Sequence, residues 1–481
     1  MLTMIKNNEI RSAAVTVVLP LVLFMCLSGS VWADELSDIL GGFDDHDSEE
    51  QALKDTLGGF EADSGTQSAD KVTSSAPSAL HLSGSVGVAG AVNLVSHRRP
   101  PGTNDRQGLA KLRGEVGVTA ELNLGGSWRA RTTGQGFYDA AYALRGRDNY
   151  TDQTLDDYEH EAELGEAWLQ GSPLPRLDLK IGRQIVVWGK SDNIRVTDVL
   201  NPMDRREPGM TDIEDLRLPI TMSRLDYSFD HWTVTGIVAH EVRFDKLPAY
   251  GSDYYTSASP LPEEEKRSFA LENQELAMAA NGVFSGWEAS FYAAHVFDDA
   301  AHLEMDSDGG YKRVHARVTM LGTAVNLARG NWLYKTEAAL LTGLEFAALP
   351  GEEKTRLDTL AGVEYCGFTD TTISIELVNR HLFDFENAMA GSPDSAEEDE
   401  FQWAFRISRD FFHERLETVL LAQAYDPLGQ GGAIERLEFT YDLTDNWETT
   451  LGLVLYQPGD KPSFNDLNEC NRLFFRLHYS F

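Results

Sequence analysis

The sequence predicts an all-β fold: a transmembrane antiparallel β-barrel of the bacterial outer membrane with about eighteen strands, or sixteen if two short strands fail. Three observations predict it, namely tryptophans that follow short turns, an alternating C-terminal segment that ends in phenylalanine, and an N-terminal export signal. A soluble β-sandwich with tryptophan at its strand starts is the alternative.

Five of the nine tryptophans follow a tight turn and begin a stretch in which apolar and polar residues alternate. They are Trp128, Trp232, Trp287, Trp332 and Trp447. Amphipathic rings favour the headgroup depth of a membrane, and the short turns of outer-membrane barrels gather on the periplasmic side. We therefore expect short turns near residues 125, 172, 229, 285, 330, 369, 413 and 445, with the longer connections facing outside.

Both ends of the chain agree with export to the outer membrane. Residues 1–33 read as a secretory signal peptide, because Lys6 and Arg11 precede an apolar run. At the other end, apolar residues occupy every second position back from Phe481. This pattern resembles the signal by which bacterial barrels are recognised for insertion, so the barrel-insertion machinery is an expected partner, together with outer-membrane lipid and lipopolysaccharide.

The segment 34–79 is strongly acidic, with twelve acidic residues against two lysines in a chain whose formal net charge is -35. Its low apolar content predicts a disordered periplasmic extension, followed by a barrel over residues 80–481. Nucleic acid is excluded as a partner by this charge.

A phrase is duplicated within the extension, where two leucines precede Gly-Gly-Phe. Its large apolar residues are Leu36, Leu40 and Phe43 in the first copy and Leu53, Leu57 and Phe60 in the second. Short apolar turns in two copies are suited to docking in a groove of a periplasmic partner. A spacer with a chance duplication, or a plug inside the lumen, are the alternatives.

The stretch 110–124 shows the clearest alternation, with Lys111, Arg113 and Glu115 on one face and only small or apolar residues on the other. A charge that faces lipid at mid-bilayer costs about 2–4 kcal/mol, so the charged face is predicted to line the lumen. Cys366 and Cys470 then fall near opposite rims, too far apart for a disulfide.

Other charged residues at predicted inward positions extend this set into a ladder: Arg129, Arg131, Arg313, His315, Arg317, Lys335, Glu337, Arg406, Arg436, Glu438 and Arg476. Facing rows of opposite charge would orient solutes in a channel. The alternative is that these residues only solvate and brace the inner wall.

Strand alternation breaks at Gly182-Arg183, and the connection that follows is too long for simple closure. We predict that this connection, from Trp188 to Pro219, folds into the barrel and narrows it. The candidate constriction residues are Arg183, Trp188, Lys190, Asp192, Arg195, Asp204 and Arg217.

The Arg-Gln-x-x-x-Trp-Gly phrase at 183–189 and the Asn-Pro-x-Asp phrase at 201–204 resemble those of a poorly characterised family of outer-membrane β-barrels. That family is found with RND-type exporters of lipids or hydrophobic substrates, and residues 244–254 extend the likeness. The resemblance implies a barrel linked to envelope transport, with an RND-type exporter or a periplasmic adaptor as partner.

No enzyme motif is complete, and neither a cofactor nor a metal is expected. Gly189-Lys190-Ser191 lacks the earlier glycine of a phosphate-binding loop, since Gln184 stands there, and no Gly-x-Ser-x-Gly elbow occurs. Acidic runs such as 263–265 and 397–400 either solvate loops or hold cations that bridge lipopolysaccharide. The sequence thus predicts a transport channel that works with a partner; a stand-alone porin and a phospholipase-like barrel hydrolase are the alternatives.

Overall fold

Eighteen antiparallel strands close into one barrel in the computed structural model, which describes residues 79–94, 107–257, 259–267, 270–305 and 309–481. The barrel strands are β1 (Leu80–Asn93), β2 (Gly108–Gly125), β3 (Trp128–Asp139), β4 (His160–Leu174), β5 (Leu177–Gln184), β6 (Ile220–Phe229), β7 (Trp232–Ala239), β8 (Glu275–Phe284), β9 (Trp287–Phe297), β12 (Arg317–Arg329), β13 (Trp332–Glu345), β14 (Glu353–Phe368), β15 (Thr371–Leu382), β16 (Asp399–Phe411), β17 (Leu416–Tyr425), β18 (Gly432–Thr444), β19 (Trp447–Gln457) and β20 (Arg472–Ser480). A hairpin of β10 (His302–Met305) and β11 (Tyr311–Val314) forms a second, two-stranded sheet. The prediction of eighteen strands is confirmed.

In the part of the chain that the structure describes, the helices are short and lie in the connections. They are α1 (Ala140–Arg145), α2 (Asp152–Tyr158) and six 3-10 helices at Arg147–Asn149, Ile213–Leu216, Leu271–Asn273, Asn387–Ala390, Pro462–Phe464 and Leu467–Cys470. The Asp139 side chain caps α1 by accepting a hydrogen bond from the Ala141 amide at 3.0 Å. Within the described residues, no helix has the length and apolar character needed to cross a membrane.

The barrel closes where β1 pairs with both β2 and β20. The β1–β20 register runs from Ser85 opposite Ser480 to Asn93 opposite Arg472. Phe481 extends this pairing, since its amide donates to the Gly84 carbonyl at 2.9 Å and its own carbonyl accepts from the Gly84 amide at the same distance. No sheet edge is left at the closure.

The outer face of the wall is apolar. On β2, Val116 and Val118 are 49% and 51% exposed, whereas Lys111 on the opposite face is buried. The predicted alternation over 110–124 is therefore confirmed. Near the short turns, aromatic rings pack side by side, as where Trp332 lies 4.4 Å from Tyr365 between ring centroids. This is the aromatic girdle expected at a membrane interface.

All eight predicted short turns join consecutive strands at one rim. Several contain a residue in the left-handed region that tight turns require, such as Asp230 with φ 48° and Asp370 with φ 50°. The two cysteines in the described residues are unbridged, with Cys366 exposed and Cys470 buried.

The wall is uneven in height. Strands β5 and β7 have 8 residues each, and β6 and β8 have 10, whereas β2 has 18 and β14 has 16. Two long connections, 185–219 and 240–274, leave from the ends of these short strands. The low part of the wall is thus the part from which chain enters the barrel.

Candidate functional site: a loop across the lumen

The connection 185–219, called the inward loop below, begins at a backbone kink in β5. Gly182 has φ +126°, and a side-chain carbon at this position would come within 2.2 Å of the Ala167 carbonyl oxygen. Only glycine fits both constraints. The kink lies where the sequence predicts a break in strand alternation, and β5 ends two residues later.

Asn201 holds the two ends of the inward loop together. Its amide nitrogen donates to the carbonyls of Gln184 at 3.2 Å and Leu218 at 2.9 Å. Its amide oxygen accepts from the Val186 backbone N–H at 2.8 Å. Because Asn201 is fully buried, these bonds fix the entry and exit of the loop relative to each other.

The first part of the inward loop packs against the inner wall as an apolar core. Trp188 is 6% exposed and stacks on Tyr292 of β9, with ring centroids 4.8 Å apart. Buried residues of the loop and of strands β6 to β16 join this cluster, among them Val186, Ile194, Val196, Leu200, Ile220, Met222, Ile237, Val318, Met320 and Leu341. This side of the lumen is therefore filled by protein.

Two wall carboxylates bind the tip of the loop. Glu337 of β13 accepts from the amides of Lys190 at 2.5 Å and Ser191 at 2.8 Å. It also accepts from the Thr197 amide at 3.2 Å and from the Thr197 hydroxyl at 2.8 Å. Glu337 thus satisfies four donors of a chain segment that has no strand partner.

Glu376 of β15 does the same for the next residues. It accepts from the amides of Asp192 at 2.8 Å and Asn193 at 3.1 Å, and from the Ser191 hydroxyl at 2.8 Å. The Asp192 carboxylate in turn pairs with Lys335 of β13. Both Glu337 and Glu376 are at least 97% buried. A buried carboxylate without hydrogen-bond donors would be strongly destabilising, so the backbone N–H groups of the loop stabilise both charges.

The second half of the inward loop reaches the strands on the closing side of the barrel. Glu207 pairs with Lys111 and lies 3.7 Å from Arg113, both on β2. Asp212 pairs with Arg436 of β18 and, at 3.0 Å, with Arg406 of β16. The loop is therefore attached to the wall on several sides and crosses the lumen.

Residues 203–217 separate two cavities. An outer vestibule of about 840 Å³ is lined by Met203, Arg205, Asp212 and Leu216 together with extracellular residues such as Asp298 and Glu400. An inner cavity of about 520 Å³ lies on the other side and is lined by Asp204, Arg206 and Arg217 together with wall residues of β1 to β4. A side cavity of about 330 Å³ shares Glu161 and Arg206 with the inner cavity and Asp245 and Leu247 with the vestibule.

Arg206 lies at the junction of the inner and side cavities. Its guanidinium binds the carboxylates of Asp204 at 2.6 Å and Glu161 at 2.7 Å, and Lys246 binds Glu161 at 2.5 Å. Burial acts to lower the pKa of Arg206, but the bonds to Asp204 and Glu161 outweigh it and raise that pKa above its usual value. The two cations and two carboxylates at the junction thus balance in charge, and Lys246 also binds Glu163 at 2.8 Å.

Most of the predicted constriction residues lie in this loop. Lys190 pairs with Glu288 at 2.5 Å, and Arg217 pairs with Asp198 at 2.8 Å. Arg195 donates to the carbonyls of Asp198 and Asn201, which stabilises the loop internally. Of the predicted ladder, the structure brings Arg113 and Glu115 together in the inner cavity.

Arg129 and Arg131 lie lower on β3, away from the loop. Arg129 donates to the Gln170 side chain at 3.3 Å, and Arg131 lies 3.7 Å from Glu121. Their strand positions face inward, since each pairs in register with an inward residue of β2 or β4.

Three predicted ladder residues lie elsewhere. Arg313 is on β11 of the separate hairpin, and His315 follows it, stacked on Phe244 with ring centroids 3.3 Å apart. Arg317 begins β12 on the outward register, where its guanidinium lies 4.0 Å over the Phe297 ring. The alternation over 311–317 is real, but it belongs mostly to a two-stranded sheet. This corrects the expected wall position of Arg313 and His315 and the inward placement of Arg317, whereas Arg313 does line the vestibule and the side cavity.

Sequence reasoning missed Glu376, Arg206, Lys246, Glu161 and Glu163. Glu376 had a signal, because it stands alone between Ile375 and Leu377 in an alternating strand. Arg206 and Lys246 carried no comparable sequence signal, since their partners are distant in sequence. The predicted partner-binding residues Leu36 to Phe60 and the signal peptide lie outside the described residues, so the domain boundaries there stay predictions.

A closed eighteen-strand barrel with an apolar outer face, an aromatic girdle and a loop folded across its lumen defines a porin-like protein of the outer membrane of Gram-negative bacteria. The chain belongs to the family described as "Protein of unknown function (DUF1302)", whose model matches residues 103–481. No curated protein sequence matches the chain.

Solved structures share the fold at low sequence identity. The crystal structure of OccAB2 from Acinetobacter baumannii has a TM-score of 0.51 at 11% identity and covers 84% of this chain and 98% of that chain. OccAB4 from the same organism has a TM-score of 0.51 at 9% identity with the same coverages. A BenF-like porin from Pseudomonas fluorescens Pf-5 has a TM-score of 0.50 at 11% identity, again covering 84% and 98%.

Proposed function

We propose that this protein is an outer-membrane channel in which the inward loop is a closable partition between the vestibule and the inner cavity. The observation that carries the proposal is the pairing of buried Glu337 and Glu376 with the loop tip. Apolar packing holds the first part of the loop, whereas the tip is held by hydrogen bonds that could exchange with water if the tip moved. Such a partition suits a conduit that opens in response to a partner.

The test is single-channel conductance of the purified barrel in a planar bilayer, with and without residues 192–214. We expect a closed or low-conductance wild type and a large stable conductance after deletion. A wild type that is already fully open, and whose current does not respond to the deletion, would instead support a stand-alone porin. Silence of both forms would contradict conduction.

We further propose that the channel moves a solute for a periplasmic or inner-membrane partner, of the RND-exporter type or an adaptor, that docks on the duplicated Leu-Gly-Gly-Phe phrase. The duplication and the resemblance at 183–204 support this part of the proposal. Deletion of residues 35–61 should leave insertion and channel activity intact while co-purification of the partner is lost. A full-length protein that captures nothing more than the deletion variant would argue against docking.

A further inference from the structure

The wall of the barrel has a gap between β4 and β5 on the extracellular side. β4 pairs with β3 along its length up to His160, but it pairs with β5 only from Ala167 to Leu174. Within the described residues, no strand pairs with the other edge of 160–166. The gap arises because β5 ends at Gln184 and the chain turns into the lumen.

The gap reaches membrane depth. Eight residues of β5 span about 26 Å along the strand, which a tilt of about 40° reduces to roughly 20 Å of height. The apolar band of an outer-membrane barrel is about 25 Å tall. The wall at β5 therefore ends below the upper boundary of the outer leaflet, and the free edge of β4 borders that space.

Charged side chains fill the gap. The seam cluster consists of Glu163, Arg183, Glu241, Arg243 and Lys246. Arg183 binds Glu241 at 2.5 Å and lies 3.5 Å from Glu163, while Arg243 and Lys246 bind Glu163 at 2.5 and 2.8 Å. The segment that carries Glu241, Arg243 and Lys246 follows β7 and is held here by side chains.

The seam cluster runs through the wall from outside to inside. Arg183 stands at an outward register position, as the partner of Ala167 and Thr221, and its Nε donates to the Leu164 carbonyl on the free edge at 3.1 Å. Glu163 at the other end of the cluster lines the inner cavity. At the gap, this set of ion pairs connects the outward position of Arg183 with the inner cavity.

The outer surroundings of the cluster are apolar. Leu164 is 52% exposed and Ile181 45%. Charges in such surroundings are expensive in a lipid-facing wall, and a barrel that only needed to be sealed would pair another strand here. A polar closure that can open between apolar rims is what an amphiphile with a charged head and a hydrocarbon chain requires.

We propose that the gap between β4 and β5 is a lateral portal through which the inner cavity exchanges an acyl-chain amphiphile with the outer leaflet, and that the seam cluster is its latch. The head group occupies the charged inner cavity while the chain passes Leu164 and Ile181. This rests on the proposed function, because it names the substrate class of the same channel. It adds a route that leaves the barrel sideways instead of through the vestibule.

Lipid access to Ile185 tests the portal, since this residue lines the inner cavity directly behind the gap. The full-length protein carries Cys366→Ser, retains the buried Cys470, and receives Ile185→Cys labelled with bimane. It is reconstituted in phosphatidylcholine vesicles that contain a lipid with a nitroxide on its acyl chain. Leu164→Cys on the outer face is the positive control. Ser85→Cys, which lines the same cavity from β1 and is separated from β4 by β2 and β3, is the negative control.

We expect quenching at Ile185 to reach at least half of that at Leu164, or to do so once Arg183→Gln has weakened the latch. Either result supports the portal. Quenching that appears only with Arg183→Gln would mean that the latch is closed in the unaltered protein. Quenching no stronger than at Ser85 in both backgrounds overturns it. Conductance separates the two proposals. If deletion of residues 192–214 still raises the current while lipid quenching at Ile185 fails, the proposed channel stands and only the portal is refuted.

Discussion

Replacing Glu337 with glutamine should free the tip of the inward loop. One carboxylate oxygen accepts from the amides of Lys190 and Ser191, and the other from the amide and hydroxyl of Thr197. In Glu337→Gln one of these oxygens becomes an NH₂ group that faces donors. Two hydrogen bonds to a buried charge are then lost, and at about 1.5 kcal/mol each the closed arrangement loses about 3 kcal/mol. The equilibrium between closed and released loop shifts by roughly 100-fold, because 1.4 kcal/mol corresponds to a factor of ten.

The assay is the open probability of single channels at neutral pH. Glu417→Gln is the matched control, since Glu417 is also an acidic residue of the inner wall but lies next to the periplasmic turn at the start of β17. We expect Glu337→Gln to open far more often than wild type and Glu417→Gln to match wild type. If Glu337→Gln and Glu376→Gln both record like wild type, the wall carboxylates do not hold a closed state and the reasoning fails.

Three further predictions concern other parts of the loop and wall. Asn201→Ala removes three buried hydrogen bonds and should destabilise the barrel by about 3 kcal/mol, seen as a lower temperature for the heat-induced mobility shift on a gel; an unchanged temperature would mean that the loop ends are held otherwise. Burial raises the pKa of Glu207, but neighbouring cations led by Lys111 outweigh it and hold that pKa below its usual range, so this anchor is intact above the ordinary value of about 4.3 and is lost only as pH falls through the depressed pKa. The difference in open probability between wild type and Glu207→Gln should therefore stay constant from pH 7 to 5, and a difference that shrinks within that window would contradict the anchor. Replacing both Arg129 and Arg131 with alanine should shift the reversal potential toward cation selectivity, whereas an unchanged potential would reduce them to bracing.

The strand pattern was readable because each strand carries its own signal. Alternation in residues 110–124 follows directly from one face in lipid and one in the lumen, and Trp332 or Trp447 marks a turn without reference to any other part of the chain. His315 and Arg317 show the limit of this reasoning. Alternation identifies a strand but does not say which sheet the strand joins. The pattern therefore predicts a wall strand where the structure has the separate hairpin β10–β11.

The site was only partly predictable, for a related reason. The kink at Gly182 and the length of the following connection are local features, and they predict an inward loop. Its anchors are not local, because Glu376 lies 184 residues from Asp192 in sequence. A carboxylate that binds backbone N–H groups leaves no pattern in its partners, since every residue has such a group.

The apolar packing of the inward loop determines where a solute can pass. Trp188, Met222 and Met320 lie in the core that fills the lumen beside β6 to β16, and the inner cavity lies against β1 to β4 and β20. The side cavity at Arg206 and Glu161 shares lining residues with both the inner cavity and the vestibule, so it offers a solute a passage between them. Since the ion pairs there balance in charge, they present both signs to a solute within a few ångströms. Such a passage favours molecules that carry a compact polar group of either sign over bulk ion flow, and Lys246, which binds both Glu161 and Glu163, places it beside the gap in the wall.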